Sequence, residues 1–497
     1  MTRTYFRRTQ LCAMLLALLL VLTSCTQRSP LTTSETLPPP SNPYDAPADF
    51  SGMTTSQRVA LYLPDALGKT LLCRYETIDL SRTEHPEEAV LNLLLSAESD
   101  NETIALSSYG SISLTAEDAV TTANQVCTVN LSSSVLSLEL ETLYTVCLSI
   151  ATTLCALPEV QYVNILVAGY PIAMDIQNLL PLGVLSSAAG KDIASLWSQL
   201  TAQRTGAGGI SARTPLTSAA VLYFPLEDGS GLTCEVRQLS FDGQNVQQLA
   251  YGLLDALSAG TTESAAAIMP DIRSLLLMAP ECTVLANGHQ SVTLSLVPDA
   301  LTRIAEADID PVCFIAAVTC TLTSYVPLLE RVIFSLGDTP LAVLTSNLHS
   351  TCDLPSGIAS RADFTSLLTD SAAGYVPNGK RLSYCALPLP ADSSLSPAVL
   401  LNALWSKLSL TLDESDVLGA AVTDDTLLIS LSAHSAEVIR NADCSQRLIA
   451  YSMVSTLTAR YSVRRVRFFF GGEAVDSLSG DVLWSGEFMT DPSLLAE

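Results

Sequence analysis

Three stretches of the chain repeat one pattern, and this repetition limits what the chain can fold into. Each contains an apolar run of helix length with a Thr-Leu pair, a short break, and an apolar run of strand length closed by glycine. The pairs are Thr153-Leu154, Thr321-Leu322 and Thr456-Leu457, and the closing glycines are Gly169, Gly337 and Gly471. The interval from leucine to glycine is identical in the first two stretches and one position shorter in the third. Such constant spacing predicts a structural unit that occurs three times.

The residues before each stretch predict the rest of the unit, in the order β-β-α-β-β-α-β. Tyr62 lies in the first predicted strand, RVALYLPD, and Tyr223 and Tyr384 follow it at two equal intervals. The helix residues Ala89 and Ala250 come at the same distance after their tyrosines, whereas Ala398 comes much sooner after Tyr384. The second strand of the third unit is therefore predicted to be missing. We expect an α/β (α+β) fold of three tandem modules with mixed sheets packed by helices, the third copy shortened.

At 497 residues, the chain is too long for a single hydrophobic core, which agrees with three modules. The predicted domains are a signal peptide at 1–25, a disordered Ser/Thr/Pro-rich tether at 26–55, and repeats at 56–204, 216–371 and 380–497. Short Gly- and Pro-containing linkers are predicted at 205–215 and 372–380.

The N-terminal segment 1–25 has the layout of an export signal. Arg3, Arg7 and Arg8 precede the apolar run LCAMLLALLLVL, which is too short for an ordinary membrane span, and LTSC ends at Cys25. This is similar to a bacterial lipoprotein signal, which implies cleavage before Cys25, a diacylglycerol on its sulfur and acylation of the new amino group. The alternative is an uncleaved N-terminal anchor. Both place the protein on the extracytoplasmic face of the cell membrane.

Charge and cysteine content narrow the class of protein. The formal net charge of −25 disfavours binding to nucleic acid or to other polyanions and favours basic protein surfaces. Eleven cysteines follow Cys25, an odd number, and most lie in apolar runs. We therefore expect buried free thiols rather than a disulfide framework.

The repeated elements resemble a known family. A Tyr-containing opening strand, an AVLNLLLSA-type helix, a CTVNLS-type strand, a helix with Thr-Leu and a strand ending in Gly look like the GerMN module of bacterial sporulation and germination lipoproteins. The resemblance covers about 57–200, 216–370 and, less completely, 381–497. It implies a small α/β module without known catalytic activity that assembles complexes in the cell envelope.

The sequence contains no pattern typical of an enzyme. There is no GxSxG, no Gly-rich loop ending in GK[ST], no HExxH and no CxxC. His85, His289, His349 and His434 lie far apart, and none has a second ligand at metal spacing. The threonines of the repeated pairs are expected to pack in the core or to bond to their own helix. We therefore predict no catalytic residue, no metal and no cofactor.

One basic cluster departs from the acidic background. Arg460, Arg464, Arg465 and Arg467 gather near the last strand of the third unit. Either they pair with acids of the same chain, or they form a face that binds an acidic protein or a cell-wall polymer. We keep these residues as candidate partner-binding residues.

These features favour a non-catalytic, lipid-anchored scaffold or assembly factor of the envelope that acts through protein contacts in sporulation or germination. The expected partners are envelope or sporulation-complex proteins, not nucleic acid. The alternative is a lipoprotein that binds a small molecule or a cell-wall glycan. Such a protein should have a deep cleft between modules.

Overall fold

A computed structural model describes most of the chain. The described residues are 44–53, 55–80, 86–116, 119–157, 159–175, 180–202, 216–262, 266–346, 349, 351–368, 371–389, 396–461, 463–480 and 482–495. The predicted signal peptide with Cys25, the tether up to residue 43 and the predicted linker at 205–215 lie outside them. Residues 46–497 form one compact unit.

The first repeat has the predicted order of elements, with short additions. Its elements are β1 (Thr55–Pro64), β2 (Leu71–Leu80), α1 (Pro86–Ser96), β3 (Val120–Ala123), β4 (Val126–Leu131), α2 (Leu140–Leu154), β5 (Tyr162–Val167), β6 (Tyr170–Pro171), β7 (Ala173–Asp175), β8 (Leu180–Pro181) and α3 (Ile193–Ala202). The stretch SISLT, predicted as a strand, makes only one bridge, from Leu114 to Leu131.

The second repeat follows the same order with more insertions. Its elements are β9 (Leu216–Pro225), β10 (Leu232–Phe241), α4 (Val246–Ser258), α5 (Ile272–Leu275), β11 (Glu281–Val284), β12 (Gln290–Leu296), α6 (Ala300–Glu306), α7 (Pro311–Tyr325), β13 (Leu329–Leu336), β14 (Thr339–Pro340), β15 (Val343–Leu344), β16 (Cys352–Asp353) and β17 (Ile358–Ala359). Asp310 caps α7 by accepting a hydrogen bond from the Val312 amide at 2.9 Å, and Pro311 occupies the first turn.

The third repeat is the shortest and contains the same core elements. These are β18 (Ser371–Asn378), β19 (Arg381–Pro388), α8 (Pro397–Lys407), β20 (Val417–Thr423), β21 (Thr426–Leu431), α9 (Ala433–Asn441), α10 (Gln446–Tyr461) and β22 (Arg465–Phe470).

Each repeat combines a separate hairpin with a mixed sheet. The hairpins are β1–β2, β9–β10 and β18–β19. In each mixed sheet, an antiparallel pair is followed by a parallel strand: β3–β4 with β5, β11–β12 with β13, and β20–β21 with β22. A parallel connection needs a long crossover, which α2, α7 and α10 provide. The α/β fold expected from the sequence is therefore confirmed.

The threonines of the repeated Thr-Leu pairs bond to a neighbouring strand rather than to their own helix. Thr153 Oγ1 accepts a hydrogen bond from the Tyr62 amide at 2.9 Å, and Thr321 Oγ1 accepts one from the Tyr223 amide at 2.9 Å. The three threonines and their leucines are fully buried. The hydroxyls thus satisfy amides on the edge of β1 and β9 that faces away from the partner strand.

The third repeat corrects one prediction. Thr456 Oγ1 accepts a hydrogen bond from the amide of Tyr375, not of Tyr384, at 3.2 Å. Tyr375 lies in β18, which pairs with β19, so the second strand is present and the prediction that it is missing is wrong. The predicted linker at 372–380 is most of β18 and its turn. The glycines and proline of this stretch lie in an edge strand and a tight turn rather than in a flexible linker.

The end of the predicted tether is also folded. The amides of Ala420 and Val422 in β20 donate to the carbonyls of Asp49 and Gly52, each at 2.9 Å. Met53 is buried in the core of the third repeat. The prediction of disorder is therefore wrong for residues 47–53, because the outer edge of β20 supplies the hydrogen bonds that the composition alone does not show.

Asn124 connects all three repeats at one point. This residue forms the β3–β4 turn in a left-handed conformation (φ 43°) and is only 8% exposed. Its side-chain amide donates to the Cys234 carbonyl at 2.7 Å, and its oxygen accepts from the Tyr384 hydroxyl at 3.0 Å. Its backbone amide donates to Ser371 Oγ at 2.6 Å. The three repeats therefore meet at a buried polar contact.

The cysteines after Cys25 are all free thiols, as expected. Five of them are fully buried: Cys127, Cys147, Cys234, Cys313 and Cys320. Within the described ranges, no helix combines the length and apolar character that crossing a membrane requires.

Candidate functional site: the cleft between the first two repeats

The predicted arginine cluster does not form one surface. Arg460, on α10, is buried and makes an ion pair with Glu159, and its Nη1 lies 3.7 Å from Glu87 Oε1. Both glutamates belong to the first repeat and are also buried. Burial raises the pKa of Glu159, Arg460 opposes this rise, and Glu87 adds to it. Arg460 therefore joins the first and third repeats.

The other three arginines lie in different surroundings. Arg464 is highly exposed, with Nε 3.5 Å from Asp425 Oδ2, and Arg465 Nη1 lies 3.0 Å from Glu487 Oε2. Arg467 is buried, with its guanidinium carbon 5.7 Å from the Phe469 ring centre. Only Arg464 and Arg465 remain accessible to a partner, and each already has an acidic neighbour.

A cleft of about 590 Å³ separates the first and second repeats. The first repeat contributes side chains of β3 and β4 and the turn after β5, where Ala168 and Gly169 have positive φ. The amide of Gly169 donates to Asn130 Oδ1 at 2.8 Å, which fixes this turn. The second repeat contributes the start of β13 and residues 360–365. The cleft has the volume of a typical small-molecule site.

Two arginines of the second repeat give the cleft a positive wall. Arg361 donates to Ser324 Oγ at 2.6 Å and to the Tyr223 hydroxyl at 3.1 Å. Burial alone would lower the pKa of Arg361, but Tyr223 raises it, so the guanidinium stays charged. Arg331 has a buried Nε without a hydrogen-bond partner among the described residues. One cation is thus held rigidly, and the other has an unused donor.

The carboxylate of the cleft is held at its rim. Glu330 Oε2 accepts from Asn287 Nδ2 at 2.7 Å and lies 3.2 Å from His289 Nδ1. The His289 ring packs edge-on against Tyr170 of the first repeat, with ring centres 4.6 Å apart. His289 is half-buried at this contact. Because Glu330 is occupied, the cleft suits an anion with hydroxyl groups better than a cation.

The structure brings together a thiol and an imidazole that the sequence keeps apart. Cys313 Sγ lies 3.5 Å from His349 Nε2. The same Nε2 lies 2.6 Å from the Gly229 carbonyl, which can only accept, so Nε2 carries the proton. Burial raises the pKa of Cys313 to about 12. A protonated thiol beside a donor nitrogen is the opposite of an activated nucleophile.

The remaining predicted residues add no metal site. His85 lies outside the described residues, and His434 is exposed. No group of three or more His, Cys, Asp or Glu side chains within the described ranges is arranged to hold a metal ion.

The comparisons with known proteins cover parts of the chain. Residues 60–173 match the family model Germane, described as sporulation and spore germination. The tandem GerMN domains of the sporulation protein GerM from Bacillus subtilis are 15% identical, covering 62% of this chain and 99% of that one, with a TM-score of 0.23. A Clostridium perfringens protein described as a lipoprotein is also 15% identical, covering 24% of this chain and 78% of that one, with a TM-score of 0.16. No curated protein matches the chain.

The family match coincides with the architecture of the first repeat. It begins within β1 and ends at the start of β7, so it includes most of the hairpin, the helices α1 and α2, and the mixed sheet. Residues 60–173 are therefore similar to the Germane family of sporulation and spore germination.

Proposed function

We propose that this protein is a non-catalytic scaffold or assembly factor of the cell envelope, anchored by a lipid on Cys25, that acts in sporulation or spore germination. The proposal extends the Germane match from the first repeat to all three. It is supported by the recurrence of the hairpin, crossover helix and parallel strand in each repeat.

The main observation in support of this proposal is that buried polar contacts hold the three repeats together. Asn124 bonds to both other repeats, and Arg460 pairs with two buried glutamates of the first repeat. Removing either partner would leave a buried polar group uncompensated, so the repeats are held in fixed relative positions. Fixed positions suit a protein that presents several binding surfaces at once.

The test is affinity capture of the tagged full-length protein, cross-linked in cells sampled through stationary phase. A Cys25→Ser variant, which cannot be acylated on sulfur, is the matched control. Envelope or sporulation proteins should be recovered with the native chain and depleted with the variant. Equal recovery with both chains, or no enriched envelope protein, would contradict the proposal.

A second candidate function is the binding of a small anionic, hydroxyl-bearing molecule in the cleft. The supporting observation is the position of Arg331, whose buried Nε has no described partner, in a cleft of about 590 Å³. Among the described residues that line this cleft, only Tyr170 is aromatic. The cleft therefore offers little stacking surface for a sugar ring.

Native mass spectrometry of the purified chain tests this second function. A retained molecule lost from an Arg331→Met variant but kept by an Arg303→Met variant would favour ligand binding over the scaffold. Arg303 is a suitable control because it is exposed and pairs with Asp299, the residue that directly precedes its own helix α6. An identical mass for the native chain and Arg331→Met would remove the second function.

A further inference from the structure

The mixed sheet of every repeat begins with an edge strand, and in two of the three repeats this edge contacts another segment of the chain. At the first edge, the end of β3 meets the other repeats: Cys234 Sγ bonds to the Ala123 carbonyl at 3.2 Å, and Ser371 accepts from Asn124. At the third edge, residues 47–53 lie along β20: Gly52 bridges Ala421, and the carbonyls of Asp49 and Gly52 accept from the Ala420 and Val422 amides. Two equivalent edges thus bond to other segments of the chain, the first at its end and the third along residues 47–53.

The equivalent edge of the second repeat is open. All four residues of β11 are exposed, and β11 hydrogen-bonds to β12 on one side. No other described segment pairs with its outer side. The chain before β11 continues the same edge, since Leu276 bridges Leu296 as Leu114 bridges Leu131 in the first repeat. Unpaired edges of this kind invite another strand.

The hydrogen-bond pattern identifies which groups of β11 are free. The Leu285 amide donates to the His289 carbonyl at 2.8 Å, which closes the β11–β12 turn. Backbone hydrogen bonds alternate between the two sides of an antiparallel strand. The amide of Thr283 therefore points towards β12, whereas the amides of Cys282 and Val284 point outward. Two donors and their carbonyls are therefore available to an incoming strand.

The surroundings of this edge are apolar and acidic. Leu277, Met278 and Val284 are 54%, 49% and 65% exposed, which is high for large apolar side chains. Leu276 and Met278 also line a groove of about 420 Å³ that contains Asp242. Neither Asp242 nor Glu281 makes an ion pair with a described residue, whereas Arg273 in the same groove is already paired with Asp255.

We propose that the outer edge of β11 binds an extended segment of a partner protein by strand addition, and that this segment alternates apolar and basic side chains. The backbone would bond to Cys282 and Val284, apolar side chains would cover Leu277 and Val284, and a basic side chain would meet Glu281 or Asp242. The inference rests on the proposed scaffold function and assigns it a surface and a class of partner.

The probe is a fluorescein-labelled peptide, Lys-Val-Thr-Val-Lys-Val-Thr-Val-amide, titrated against the full chain by fluorescence anisotropy. A peptide with Glu in place of Lys is the matched control and should bind at least tenfold more weakly. Hydrogen exchange should show new protection at Cys282 and Val284 on binding, and no change at Thr283, which already bonds to β12.

Variants of the edge complete the test. Val284→Pro removes one outward donor without removing a bond to β12 and should weaken binding at least tenfold, whereas Val284→Thr keeps the donor and should stay within twofold. Glu281→Lys leaves the backbone intact and should reduce the preference for the Lys peptide, which keeps the test valid if the proline variant misfolds.

The outcomes separate this inference from the scaffold function. Equal binding by Val284→Pro in folded form, a preference for the Glu peptide, or no protection at Cys282 and Val284 would overturn the edge assignment. If cellular capture still recovers envelope proteins in that case, the scaffold stands and another surface makes the contact. If capture fails as well, both proposals fall.

Discussion

Single hydroxyl groups join the helices to the hairpins in this fold. Thr153, Thr321 and Thr456 each bond to a tyrosine amide of the first strand of their repeat. Ser149 and Ser452, one turn earlier on α2 and α10, bond to the carbonyls of the same tyrosines, Tyr62 and Tyr375. The second repeat has Ala317 at that position, so the Tyr223 carbonyl receives no equivalent serine bond and Thr321 makes the link to the Tyr223 amide.

Thr321→Val is therefore expected to destabilise the protein by about 1–3 kcal/mol, because the buried Tyr223 amide loses its acceptor. Thr319→Val is the control on the same helix: Thr319 is equally buried, but its Oγ1 has no described partner. That variant should be neutral or slightly stabilising. Urea unfolding of both variants measures the difference, and an equal effect would rule out the proposed role of the hydroxyl.

The buried thiols are expected to be unreactive. Burial raises the pKa of Cys147 to about 12, so almost no thiolate is present at pH 8. Iodoacetamide at pH 8 should label the exposed Cys73 within minutes and Cys147 only after unfolding, as read by peptide mass spectrometry. Labelling of Cys147 at the rate of Cys73 in the native chain would contradict this packing.

At the scale of elements, the three edge strands have the same topology but different neighbours. The backbone of residues 47–53 can lie close to the outer edge of β20 because Gly419 has no side chain. A Cβ at this position would lie 2.6 Å from the Asp49 nitrogen and 2.7 Å from the Pro47 oxygen. Both atoms belong to the backbone and cannot move aside without breaking the pairing.

Gly419→Ala should therefore release residues 47–53 from β20. The expected result is faster hydrogen exchange of the Ala420 and Val422 amides, together with faster proteolysis between residues 46 and 53. Leu418→Ala is the control, since Leu418 is 44% exposed on the same strand and makes no such approach. Unchanged exchange in Gly419→Ala would show that the segment does not depend on this contact.

At the scale of the whole molecule, a buried ion cluster holds the first and third repeats together. Arg460 is 301 residues from Glu159 in sequence, and these side chains are 7% and 5% exposed. Arg447, on the same helix, is 59% exposed and pairs with Asp491 at 3.2 Å. The same helix thus carries one buried ion pair, made by Arg460, and one exposed ion pair, made by Arg447.

Arg460→Met should destabilise the protein by about 3–5 kcal/mol at pH 7, because two buried carboxylates lose their cation. Burial raises the pKa of Glu159, and loss of Arg460 raises it further. A group whose pKa is raised on folding favours the folded state at low pH and loses that contribution as the pH rises. The deficit of the variant should therefore shrink between pH 7 and pH 5 in urea unfolding.

Arg447→Met provides the matched comparison, with an expected change of at most about 1 kcal/mol and little dependence on pH. If Arg460→Met were as mild as Arg447→Met, or if its deficit grew on acidification, the buried cluster would not join the repeats as described.

The sequence by itself determined the repeat and its elements. The constant spacing of Thr-Leu and Gly and the apolar periods predicted the order β-β-α-β-β-α-β and mixed sheets packed by helices, since these elements depend on residues close in sequence. The prediction of a missing strand was wrong because Tyr384 repeats the sequence interval of Tyr62 and Tyr223 by coincidence. In the structure, Tyr375 takes the position of those tyrosines and bonds to Thr456.

Only the tertiary structure decided which groups are buried and which edges remain open. Arg460 is separated from the exposed Arg464 by four positions but is buried, because its partners come from another repeat. The cleft with Arg331 and Arg361 forms where two repeats meet, and the outer edge of β11 is open because no described strand pairs with that side. Such properties depend on contacts between residues far apart in the chain, which local patterns in a sequence do not contain.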